Sequence, residues 1–232
     1  MAKSSRSSTS FGRGSPVPPD KATIVALSGG MRYEEIMMSV NPRTSALLVM
    51  DYQKEIVSVM APEPEVLLAH AAKVVGAARA VSMPVIYVVV GFRPGYPELN
   101  PRNERLSTVI RQRGGFVLHE PASAVHPAVA PKDGDAIVVK RRVSAFSGSD
   151  LEILLRSLGV DTLVLMGLAT SGVVLSTTRH AFDADYRILV LEDCCADPDA
   201  EVHRVLCEKI LARQSSVMGS GAFMEALSAV SA

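Results

Sequence analysis

From residue 44 onwards, apolar runs too short to be helices alternate with longer stretches in which apolar residues recur at helical spacing. The short runs predict strands at Ser45 to Met50, Pro84 to Val90, Ala136 to Lys140, Thr162 to Met166 and Arg187 to Leu191, with a weaker one at Ser216 to Gly219. The periodic stretches predict helices at Glu63 to Ser82, Asp150 to Leu158, Gly172 to Tyr186, Asp199 to Arg213 and Ala222 to Ala229. Strands that are nearly continuous in Val, Ile and Leu, interleaved with helices, belong to a mostly parallel sheet covered on both faces, so the pattern predicts one α/β domain with about six strands. The segment from Gly91 to Asp135 breaks the rhythm. Its part "GFRPGYPELNPRNERL" carries three prolines and three arginines, and so long an irregular connection predicts a loop lying over a binding site.

Composition narrows the partner. Apolar residues make up 48% of the chain and charged residues 21%, enough for one sizeable core. Lysine plus arginine equal aspartate plus glutamate at 24 each, so no overall field attracts nucleic acid or an anionic membrane, and the expected partner is a small molecule. No apolar run reaches the roughly 20 residues of a membrane span, and no secretory signal is visible, which predicts a cytoplasmic protein. The opening "MAKSSRSSTSFGRGSPVPPD" is rich in Ser, Pro, Gly and Arg without periodicity. It predicts a disordered tail over residues 1–30, ahead of a folded domain over 31–232; an Arg-rich, acid-poor start also suits an organelle transit peptide. Cys194, Cys195 and Cys207 form neither a disulfide framework nor a metal-ligand spacing. The histidines are scattered, and neither a Gly-x-Gly-x-x-Gly turn nor a Walker loop follows the first strand, so no metal and no cofactor are expected.

Ligands of open α/β sheets bind beyond the carboxyl ends of the strands. Three features would meet there: Asp51 after the first strand, Lys140 closing the third, and the turn "GLATSGVVLST" after the fourth. Each has a structural alternative. Asp51 could cap a helical turn, Lys140 could form an ordinary ion pair, and Ser171 with Gly172 could simply start a helix.

The order "ALLVMDYQ" followed by "VVKRRVSAFSGSDLEILLRSLGVDTLVLMGLATSGVVLSTTRHAFDADYRILVLEDCCAD" resembles the isochorismatase-like hydrolases of the cysteine hydrolase superfamily, from about Thr44 to about Val217. The resemblance implies a three-layer α/β/α, Rossmann-like fold and a catalytic Asp, Lys and Cys. By position these fall on Asp51, Lys140 and Val173. It also implies a non-proline cis bond at Leu168–Ala169 and an oxyanion-binding turn built from Gly167, Leu168, Ala169 and Gly172. Valine has no lone pair to donate, so acyl transfer through residue 173 is excluded; Ser171 and Ser176 are poorly placed substitutes. Members without the Cys cleave a vinyl ether, with the Asp protonating the substrate and water adding afterwards. The aromatic turn residue of those enzymes is replaced here by Ala169, which argues against isochorismate itself.

The resulting expectation is a hydrolase acting non-covalently on a small, carboxylated metabolite, with Asp51 as general acid or base and Lys140 orienting it. Gln53, Arg93, Phe146 and Ser171 are candidate substrate contacts. The alternative is a small-molecule binding or regulatory protein without catalysis. Alanine and valine on more than one face of the helices at 63–82 and 172–186 predict a homodimer or higher homo-oligomer.

Overall fold

A computed structural model describes residues 40–113 and 115–230; the predicted tail at 1–30 lies outside them. Six parallel strands, β1 (Ser45–Met50), β2 (Val85–Val90), β3 (Ala136–Lys140), β4 (Thr162–Leu168), β5 (Arg187–Ala196) and β6 (Ser216–Met218), form one sheet in the order β3-β2-β1-β4-β5-β6. Every residue of β1 and β4 is buried, as expected of central strands covered on both faces.

Alternate residues of β1 enter two separate cores. Leu47 and Val49 pack with α1 (Lys54–Met60), α2 (Pro64–Ala80) and Phe223 and Leu227 of the last helix, whereas Ala46, Leu48 and Met50 pack with residues of the later helices on the other face. That second layer holds α4 (Leu151–Ser157), α5 (Leu175–Asp183) and Cys207, which follows α6 (Ala200–Val205). With α3 (Glu104–Arg113) over the sheet's end and α7 (Ser220–Val230) in the first layer, the molecule is a three-layer α/β/α fold. Among the described residues, no helix is long and apolar enough to cross a membrane.

The departures from the predicted elements have local causes. The strand expected to stop at Leu191 runs to Ala196, because the register against β4 shifts around the exposed Glu192 and half-buried Asp193 and pairing resumes at Cys195 and Ala196. The Asp193 carboxylate accepts from the Ser220 N–H at 2.7 Å and the Ser220 hydroxyl at 2.6 Å, holding the start of α7. The helix predicted from Gly172 begins instead with a wide turn at Thr170–Val174, and the one predicted through Arg213 loosens after Val205 into wide and tight turns. Two helices were not expected. One is α1, too short to show a period; the other is α3, inside the segment expected to be irregular, where Asn103 Oδ1 accepts from the Leu106 N–H at 3.3 Å.

Strands β1 and β4 lie side by side at the point where the strand order reverses, with Met50 paired to Gly167. A β-carbon on Gly167 would stand 3.0 Å from both the Met50 Cβ and the Met50 carbonyl oxygen, and 3.2 Å from Val173 Cγ1. Neither strand can withdraw without disturbing the sheet. Gly167→Ala is therefore expected to lose about 1–3 kcal/mol of stability, read as a lower urea midpoint with an unchanged slope; an unshifted midpoint would show that the strands give way freely.

Candidate active site

The carboxyl ends of five strands surround one cavity of about 440 Å³, and its lining follows the strand order. From one end to the other come Lys140 at the end of β3 with Arg141 to Val143 after it, Val90 and Phe92 of the β2 end, Asp51 after β1, Leu168 at the end of β4 with Ala169 and Ser171 to Val173 after it, and Asp197 with Pro198 after β5. Ile56 and Met60 of α1 and Leu106, Val109 and Ile110 of α3 complete an apolar wall.

Asp51 follows the last residue of β1 with a left-handed backbone, φ 60°, and its N–H donates to the Val88 carbonyl at 2.8 Å. A non-glycine residue holds this conformation only against a steric cost of roughly 1–2 kcal/mol. Its effect is to turn the side chain out of the sheet and into the cavity. Asp51 Oδ2 lies 2.8 Å from Lys140 Nζ, with both residues almost completely buried. The ammonium also donates to the carbonyls of Arg142 at 3.2 Å and Val143 at 3.0 Å, so its three donors are all engaged. Asp51 Oδ1 is buried and has no hydrogen-bond partner among the described residues. Burial raises the proton affinity of Asp51 above that of an ordinary aspartate, against the opposing pull of the Lys140 charge and hydrogen bond.

In the turn after β4 the Leu168–Ala169 peptide bond is cis. The Gly172 N–H donates to the Ala169 carbonyl at 3.1 Å, and the Ser171 N–H donates to Asp197 Oδ2 at 2.9 Å. The buried Thr170 hydroxyl meets His203 Nδ1 at 2.8 Å, tying the turn to α6. Val173 is buried and is one of the residues lining the cavity.

Asp51, Lys140, Leu168, Ala169, Ser171, Gly172 and Val173 thus share one cavity, while Gly167 sits behind the turn against β1. Three expected substrate contacts lie elsewhere. The Gln53 amide is consumed by the main chain, donating to Val90 O at 3.0 Å and Ser123 O at 2.8 Å and accepting from the Val90 N–H at 2.7 Å. Arg93 points outward to Glu98 Oε1 at 2.7 Å, and Phe146 stacks on His180 with ring centroids 4.5 Å apart. The prediction did not include Asp197, Arg141, Arg142 and the α3 wall. Only the wall had a visible signal, the helical spacing of Leu106, Val109 and Ile110 behind Asn103.

None of the three cysteines lines the cavity. Burial pushes the thiols of Cys194 and Cys195 far above the ordinary range and that of Cys207 up to about 11. Thiolates are the reactive form, so the folded protein is expected to resist a thiol reagent at neutral pH and to label fully only after unfolding. Rapid labelling of the native protein, read by intact mass, would contradict this. Among the described residues, no group of three or more His, Cys, Asp or Glu side chains is arranged to hold a metal ion.

Residues 45–221 match the model of the isochorismatase domain. Over 194 residues the chain is 32% identical to the uncharacterized isochorismatase family protein YecD of Escherichia coli O157:H7, covering 82% of this chain and 100% of that one. It is 30% identical over 219 residues to the ureidoacrylate amidohydrolase RutB of Methylobacterium radiotolerans, covering 82% of each. Among solved structures, a cysteine hydrolase from Pseudomonas syringae pv. phaseolicola 1448A superposes with a TM-score of 0.73 at 25% identity, over 82% of this chain and 95% of that one.

Proposed function

The chain belongs to the isochorismatase family and is a hydrolase, and from that premise we propose that it cleaves a small carboxylated metabolite without a covalent intermediate, with Asp51 as the proton donor. The observation that carries the reading is the division of labour within one carboxyl group. Oδ2 is held by Lys140, whereas Oδ1 is buried, unpartnered and belongs to a group lining the cavity. Raised proton affinity favours the neutral acid, and the proton then belongs on Oδ1, the oxygen that Lys140 does not hold.

In this scheme Asp51 Oδ1 gives its proton to the reacting group of the substrate. A water oxygen bonds to the electrophilic carbon and its lost proton restores Asp51; in an amide the departing nitrogen keeps the transferred proton as its bond to carbon breaks, whereas in an enol ether that proton stays on carbon and the hemiketal hydroxyl proton passes to the departing oxygen. Lys140 holds Oδ2 and offsets the charge that forms on the carboxylate during the cycle. The scheme asks nothing of residue 173, which suits a valine. The relative RutB acts, by its name, on ureidoacrylate, a small molecule with a carboxylate and a hydrolysable nitrogen–carbon bond. Small amides and enol ethers bearing a carboxylate are therefore the first compounds to assay.

The test is the pH dependence of kcat/KM on any such substrate. An acid must be protonated to act, so turnover is expected to fall as pH rises through the Asp51 pKa, which burial places above that of an ordinary aspartate. Turnover that rises through that pKa would make Asp51 a base. A panel of carboxylated amides, ureides and enol ethers that bind saturably and are never cleaved would favour a binding protein.

A further inference from the structure

We infer that Arg142 is the receptor for the substrate's carboxylate, so that the cavity selects an amphipathic monocarboxylate whose anionic end sits beyond β3 and whose apolar body lies along α3. The inference rests on reading the cavity as the substrate pocket. It adds the residue, the orientation and the class of acid.

The cavity is electrically two-ended. At the β5 end stands Asp197, with one carboxylate oxygen already accepting from the Ser171 N–H. At the β3 end stand Lys140, Arg141 and Arg142. Two of these three cations already have a carboxyl group against them: Lys140, whose three donors are all spent, meets Asp51 at 2.8 Å, and Arg141 meets Glu98 at 3.1 Å. Arg142 is different. Its Nη1 donates to the Arg141 carbonyl at 2.6 Å and its Nη2 to the Glu98 carbonyl at 3.1 Å, and among the described residues no carboxylate lies within ion-pair distance of it.

Two carbonyls therefore fix the guanidinium in place without neutralising it. Of its five N–H groups, three remain for another acceptor. A guanidinium oriented in advance and lacking a counter-charge suits a carboxylate, which it can meet through two parallel hydrogen bonds. The main chain carrying it is fixed as well, because Lys140 Nζ holds the Arg142 and Val143 carbonyls while contacting Asp51. The anion receptor and the proton donor are thus joined through a single ammonium group, which sets the distance between the bound carboxylate and the reacting bond.

The surroundings of Arg142 specify the rest of the ligand. Val143 and Val109 flank it at 45% and 46% exposure, unusual values for valines, and with Leu106 they line both the main cavity and an adjoining recess that opens past Arg142. Arg105 also lines the recess, and cationic groups set among exposed apolar side chains fit a carboxylate borne on a hydrocarbon chain better than they fit a neutral sugar. Asp197 at the far end disfavours a second anionic group there by like-charge repulsion.

Binding of hexanoate and of its neutral isostere hexanamide, followed by protein-observed NMR titration, tests the inference without requiring turnover. The wild-type protein is expected to bind hexanoate about tenfold more tightly than hexanamide, the scale of one charge-assisted hydrogen-bonded contact. Arg142→Gln should remove the preference, Arg142→Lys should keep most of it, and Arg213→Gln, which changes an exposed arginine outside the cavity and its recess, should leave it untouched. In the wild-type protein the Arg142 Nε resonance should shift with hexanoate and not with hexanamide, a readout that stands even if Arg142→Gln fails to fold. No saturable hexanoate binding, no preference over hexanamide, or a preference that survives Arg142→Gln would each overturn the inference. Failure of Asp51 as a catalyst would show as lost proton transfer with the hexanoate preference intact, so the two readings fail separately.

Discussion

Asp51→Asn is expected to lower kcat by two to four orders of magnitude, the contribution of a positioned general acid, while leaving the fold and ligand binding in place. Asparagine has the same shape, and its side-chain carbonyl can still accept from Lys140 Nζ at the position of Oδ2. What it lacks is a transferable proton. The substitution also leaves a signature in stability. Burial raises the pKa of Asp51 in the folded state, so between the unfolded value near 3.9 and the folded value the native protein binds more protons than the unfolded chain. Stability from this group is therefore full below the unfolded pKa, falls as pH rises through that window, and is flat above it. Asp51→Asn should delete this slope, so the difference in urea midpoint between variant and wild type should drift in the variant's favour with rising pH and then level off. Full activity in Asp51→Asn on every substrate found would make Asp51 structural, and a pH-independent difference in midpoint would mean that its proton affinity is not raised.

The sequence carried the architecture more completely than the site. Buried parallel strands have to be continuous in apolar residues, so all six strands and the side-by-side placement of Asp51, Lys140 and the 168–173 turn could be read from the pattern. The candidates that do not line the cavity are those whose partners are distant in sequence. Gln53 and Arg93 are polar and Phe146 is aromatic, each near a strand end, and nothing local shows that the Gln53 amide is spent on Val90 and Ser123, that Arg93 meets Glu98, or that the Phe146 ring lies on His180. Arg142 was passed over for the converse reason. In "KRRV" its charge looks like that of its neighbours, and only the fold shows that Lys140 and Arg141 have carboxyl partners while Arg142 has none among the described residues. The prolines at 94, 97 and 101 signalled an irregular segment correctly up to Pro101, but they hid the helix that starts just beyond Asn103 and supplies the apolar wall.

Lys140→Met separates the two influences on Asp51 and is expected to move the pH profile further than any other single change. In the wild-type protein burial raises the Asp51 pKa, and the Lys140 charge and hydrogen bond hold it down. Removing the ammonium leaves burial unopposed, so the folded pKa should rise further and the descending limb of kcat/KM should move to higher pH. The stability cost should depend on pH for the same reason. At alkaline pH the variant carries an unpaired buried carboxylate together with the Arg142 and Val143 carbonyls that have lost their donor, a loss of about 3–5 kcal/mol by comparison with other broken buried pairs. At acidic pH Asp51 takes up a proton, the buried charge disappears, and only the two carbonyls remain unsatisfied, so the loss should shrink. Urea unfolding across that range, run beside the activity profile, checks both statements. A limb that stays fixed or moves to lower pH would mean that Asp51 is not the titrating acid. A destabilisation that does not vary with pH would mean that Lys140 serves the fold through its carbonyl contacts and has no influence on the Asp51 proton.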